Sequence, residues 1–76
     1  NLRVEEIKMQ EKYAGKRIAD IDMGKFTDTL ILAILYRDNW TYSPKGDHIL
    51  EKGSSIVVIT TPEEREKLSA HFLGRI

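Results

Sequence analysis

The hydrophobic pattern is clearest in the middle of the chain, where Leu30 to Leu35 form an unbroken apolar run of six residues. That run is short for a helix and is followed by Asp38-Asn39, a pair suited to the positive φ angles of a two-residue hairpin turn. Trp40-Thr41-Tyr42 then resumes with aromatic and polar positions alternating. The pattern predicts a β-hairpin over residues 28–37 and 40–43. Because the first strand is apolar on both faces, it should be covered on both, by a helix of the same chain on one side and by a second subunit on the other. Ser43-Pro44-Lys45-Gly46-Asp47 halts the second strand, since proline removes a ladder donor and glycine permits a turn. Four consecutive β-branched residues, Ile56 to Ile59, mark a further strand over 55–60.

The last element has its start written into it. Thr61 suits the N-cap, Pro62 the first helical position, and Glu64 the position that closes a capping box. Leu68, Phe72 and His71 make the inward stripe, and Gly74 ends the helix. The first third is ambiguous. Leu2 and Val4 alternate as in a strand while Ile7 and Met9 fall in the opposite phase, so either a bulge at Glu5-Glu6 shifts the register or residues 2–13 form a helix ended by Gly15. Lys16-Arg17-Ile18 reads as a short extended piece, and Asp20 to Met23 as one helical turn ending at Gly24.

Composition narrows the function. Seventy-six residues hold one domain, with 12 basic and 12 acidic side chains and no cysteine. A chain of this length has a thin core, so a partner surface is a natural way to bury more. Zero net charge argues against nucleic-acid binding, which needs a basic face. No apolar segment reaches the ~18 residues of a membrane span. The chain opens on Asn1 without an initiator Met or signal peptide and reads as a fragment of a longer protein.

Candidate chemistry is sparse. Asp20, Asp22 and Asp28 offer oxygen ligands for a hard cation, but lack the spacing of a calcium loop, and a capping role for Asp20 is simpler. Asp47-His48 beside Pro44 either lines a pocket or forms a solvated turn, and His71 is a packing residue. No nucleophile elbow, glycine-rich phosphate loop or metal-ligand spacing is present, which points away from an enzyme. Arg37, at the mouth of the hairpin, is placed either to hold a phosphate or carboxylate or to pair at the surface with Asp38 or with an acid of a partner.

The order of motifs resembles the TrkA-C domain, the C-terminal lobe of RCK regulators of potassium channels and transporters. It is carried by Gly15-Lys16-Arg17-Ile18-Ala19-Asp20-Ile21, by the strand ending Ala33-Ile34-Leu35-Tyr36-Arg37, and by Pro44, Asp47, Leu50, Gly53, the Val-rich strand and the closing helix, over about residues 2–73. One departure is Gly53-Ser54, where the family usually has Gly-Asp; serine can keep the turn, but a role for that acid in an ion site is put in doubt. The resemblance implies an α+β fold, a small mixed sheet in β-α-β-β-β-α order, with residues 2–9 a strand and two copies paired as a homodimer. It further implies a cytoplasmic regulatory domain at the inner face of the membrane, attached to a Rossmann-type lobe or to a potassium or other cation channel or transporter. Its effector, cyclic di-AMP or a divalent cation, would bind a dimer crevice lined by Ile34, Leu35, Arg37, Asn39, Pro44, Asp47 and His48. The alternative is a dimerisation module without a ligand.

Overall fold

The structure is a computed structural model that describes residues 1–21 and 23–73, without the side chains of Phe72 and Leu73. Asp22, Gly74 and the inward side chain expected of Phe72 therefore lie outside the described residues. Strands β1 (Arg3–Lys8), β2 (Leu30–Tyr36), β3 (Asn39–Tyr42) and β4 (Ser55–Thr60) form one sheet in the order β1-β4-β2-β3. Helix α1 (Pro62–Leu73) follows β4. All three strand pairings are antiparallel. The α+β class holds, but the sheet is antiparallel rather than mixed, and 3₁₀ turns at Glu11–Tyr13 and Ile18–Asp20 stand where the family order puts its first helix. Gly15, at φ 82°, breaks that segment into short turns.

The alternation of side chains explains the ambiguous N-terminus. Strand β1 pairs with β4 in unbroken register from Arg3↔Thr60 to Lys8↔Ser55, so there is no bulge at Glu5-Glu6. Ile7 faces the core beside Ile56, and Met9 continues that side, while Leu2 and Val4 belong to the opposite, outer face and are largely exposed. Both faces carry apolar residues, which mimics a phase slip. The bulge is instead in β2, between Ile31 and Ala33, where the pairing with β4 skips a residue.

Core and outer face follow from the registers. Ile7, Ile56 and Ile34 make one inward row, and Val58 with Ile31 part of the next. Leu68 of α1, with Tyr13, Ile21, Phe26 and Leu50 from the connecting segments, closes over them. His71 packs its ring edge-on to Phe26 at 5.5 Å between centroids, in keeping with a packing role. On the outer face, Ala33 and Val57 are buried within the chain, whereas Val4, Leu30, Trp40 and Tyr42 are exposed.

Two expected details differ. The positive-φ residues of the hairpin are Arg37 (49°) and Asp38 (64°), one position earlier than Asp38-Asn39. Asn39 is already in β3, opposite Tyr36, and its side-chain amide donates to the Arg37 carbonyl at 3.3 Å. That register sets Trp40 beside Leu35 and Tyr42 beside Ala33 on the outer face. At the start of α1, Thr61 Oγ1 accepts the Glu64 amide at 3.2 Å as an N-cap does. The buried Glu64 carboxylate, however, does not close a capping box. It accepts the Asp28 amide at 3.1 and 3.2 Å and the Thr29 hydroxyl at 2.6 Å, and Thr29 in turn bonds Thr60 at 2.7 Å.

Glu64 thus ties the helix to the chain leading into β2. Hydrogen bonds to a charged acceptor contribute about 1.5–3 kcal/mol. Glu64→Ala should lower stability by about 2–3 kcal/mol in urea unfolding, and Glu64→Gln, which keeps one acceptor, by less.

Candidate functional site

The seven residues assigned to a crevice fall into three places. Ile34 is inside the core, 2% exposed, and offers no surface within one chain. Leu35 is half-buried on the outer face, between Ser55 and Trp40. Arg37 sits in the hairpin turn and Asn39 at the first position of β3, while Pro44, Asp47 and His48 belong to the loop that leaves the other end of that strand. The width of β3 separates the two groups within a single chain.

At the tip, the short antiparallel connection demands left-handed backbone at both turn positions. Arg37 meets that demand despite its Cβ, a conformation disfavoured by roughly 1–2 kcal/mol for an ordinary L-residue. Its guanidinium lies over the Tyr36 ring, 5.2 Å from the centroid. Among the described residues no carboxylate comes within ion-pair distance of it; the ion pairs are Arg17–Asp20, Lys52–Glu11 and Arg65–Glu5. The pairing of Arg37 with Asp38 is therefore not formed, and Arg37 is exposed.

The loop is seated by main-chain bonds. Ala19 donates to the Gly46 carbonyl at 2.9 Å, Ile18 to the His48 carbonyl at 3.0 Å, and Leu50 to the Lys16 carbonyl at 2.9 Å. Arg17, extended at φ −81° and ψ 154°, bridges Ile49, whereas Ile18, expected in the same extended piece, already begins the second 3₁₀ turn. Gly46 approaches so closely that a Cβ at that position would stand 3.3 Å from the Ala19 Cβ. Asp20 is not a cap. It accepts two bonds from Arg17, at 2.9 and 3.1 Å, and this hydrogen-bonded pairing holds its carboxyl below the usual carboxylate range. Asp47 adds a weaker field that helps keep Arg17 charged. With its partner in Arg17, Asp20 does not join Asp28 in a cation site, and among the described residues no group of three or more acidic or histidine side chains converges.

Sequence reading missed the importance of Trp40 and Tyr42. Their rings stack on the outer face, 6.0 Å apart and within 6° of parallel. The alternation of β3 carried that signal once its edge position is known. Ser54, the departure from the family pattern, is fully buried; its hydroxyl accepts the Glu51 amide at 3.1 Å and donates to the Glu51 carbonyl at 2.6 Å. The turn before β4 survives the substitution, as expected.

The family model for the TrkA-C domain matches residues 2–73. The chain belongs to this family. It is similar, at 27% identity over 70 residues, to the Trk system potassium uptake protein trkA homolog 1 of Methanosarcina mazei, covering 92% of the chain and 16% of that protein. The chain thus spans about a sixth of the curated relative it matches. Among solved structures, the GsuK channel bound to NAD matches at 26% identity with a TM-score of 0.82, over 97% of this chain and 14% of the other. The RCK C domain of the potassium transport protein KtrA in complex with cyclic di-AMP matches at 26% identity with a TM-score of 0.80, over 91% of this chain and 81% of the other. Domains similar to this one thus occur in potassium transport proteins. No helix among the described residues is long and apolar enough to cross a membrane.

The left-handed backbone of Arg37 has a measurable cost. Arg37→Asn, a residue that tolerates positive φ, should raise stability by about 0.5–1 kcal/mol, read as a higher urea midpoint with an unchanged slope. A fall in the midpoint would contradict the assignment of strain to this turn.

Proposed function

We propose that this TrkA-C domain is a cytoplasmic, non-enzymatic sensor of a potassium or other cation transport system, binding a small anionic effector between two copies and passing the signal to an attached channel, transporter or Rossmann-type lobe. The likeness to the KtrA domain that holds cyclic di-AMP carries this reading. Cyclic di-AMP is accordingly the leading effector. The chemistry of the chain suits it: Arg37 at the hairpin mouth meets a phosphate, Leu35 supplies apolar surface for a base, and Asn39, Pro44, Asp47 and His48 complete the walls. Ile34 supports this surface from the core side. Net charge is zero, so a few local groups must hold the anion, with Arg37 foremost.

Binding that favours one arrangement of the two copies shifts their population toward it, and whatever is joined to them follows. A purely structural dimerisation module is the alternative, and the two differ in one measurement. Calorimetric titration of the chain with cyclic di-AMP should give saturable heat, while linear nucleotides and divalent cations serve as competitors for the effector's identity. Arg37→Asn should weaken binding by about 10- to 100-fold, the worth of a charge-assisted contact. Flat titrations with every probe, while the dimer persists at low concentration, would leave the dimerisation module as the reading.

A further inference from the structure

Seven consecutive residues, Arg37 to Ser43, are exposed, and β3 lies within them. The strand is bare on both faces: neither Thr41 on the inner side nor Trp40 and Tyr42 on the outer side is covered. Both of its ends are strained. Arg37 and Asp38 before it and Ser43 after it hold φ of 49°, 64° and 46°, a left-handed region where residues with a Cβ are uncommon. Beyond these ends the chain is fastened. Leu35 pairs with Ser55 of β4, and the Gly46 and His48 carbonyls accept the Ala19 and Ile18 amides at 2.9 and 3.0 Å. Between the two anchors, β3 has β2 as its one neighbour in the sheet.

We propose that residues 37–44 form a separately opening unit. Strand β3 leaves and rejoins the edge of β2 while β1, β2, β4 and α1 keep their places. Closing holds three left-handed residues in strain, and opening releases them. Closing also buries little, since all four strand residues stay exposed when paired. Strand β2 is held differently. It keeps its second ladder to β4, and Ile34 and Ile31 stay packed on the core side.

The parity of the ladders separates the two. The two-residue turn makes Tyr36 and Asn39 a bonded pair, and the Ser43 amide donates to the Leu32 carbonyl at 2.8 Å. The Ile34 and Tyr36 amides therefore turn to β3, and the Ala33 and Leu35 amides to β4, opposite Val57 and Ser55. Alternate amides of one strand thus report the opening and its absence.

Two residues of the effector surface, Arg37 and Asn39, ride on this unit, and here the inference rests on the effector reading above. An anion held by both binds the closed form alone. The open fraction then lowers its apparent affinity, and its binding closes the strand.

Native-state hydrogen exchange at low protein concentration tests the opening. The Ile34, Tyr36 and Thr41 amides should share one opening constant and exchange about tenfold faster than those of Ala33 and Leu35, or faster still. Ser43→Asn and Asp38→Gly relax the strain from opposite ends, and each should slow all three amides by the same several-fold factor. Equal protection of Ile34, Tyr36, Ala33 and Leu35 overturns the opening. So does a variant that slows only the amides nearest to it. Saturating cyclic di-AMP should slow the three amides further. Unchanged exchange in a chain that binds cyclic di-AMP by calorimetry overturns the coupling and leaves the effector reading standing. Flat calorimetry with the opening present overturns the effector reading alone.

Discussion

Everything in this domain hangs on strand β2, the apolar strand that is sealed on one side by its own chain and only partly on the other. Inward, Ile34 and Ile31 meet β4 and the cover supplied by Leu68, Phe26 and Leu50. Its two ends carry the remaining constraints. Glu64 reaches across from α1 to hold the chain at Asp28 and Thr29 just before β2 begins, and the Arg37-Asp38 turn follows where it ends. In a chain of this size, a single strand that organises core, helix anchor and exposed edge leaves few positions free of structural duty.

The tip of the hairpin carries backbone strain. A two-residue turn favours asparagine or glycine at its first position, and this chain uses arginine. The same residue has no carboxylate within ion-pair distance among the described residues, and its guanidinium lies over the Tyr36 ring. Strain of this kind persists where the surrounding structure over-determines it, and here the pairing of β2 with β3 fixes both turn positions.

What could be read from residues alone follows the strength of each local signal. Strand β4 and the start of α1 were legible because β-branched runs and a Thr-Pro cap leave no competing structure. The hairpin was legible as a hairpin but one residue out of register, because Asp38-Asn39 is the better turn by propensity and the pairing of Trp40 and Tyr42 with the outer face of β2 outweighs it. Strand β1 was ambiguous because its outer face is apolar too. Glu64 satisfied a capping pattern by spacing, yet its carboxylate answers to Asp28 and Thr29, 35 or so residues away, which no local rule sees. The site residues follow from the family pattern alone, and their division between the two ends of β3 follows only from the topology.

The central claim is that the Glu64 carboxylate fixes the chain where it enters β2. Hydrogen exchange at the Asp28 amide tests it most directly, because that amide donates to Glu64. Strong protection of the Asp28 amide is predicted, lost in Glu64→Ala while the amides of β4 stay protected. Fast exchange at Asp28 in the unaltered chain would contradict it.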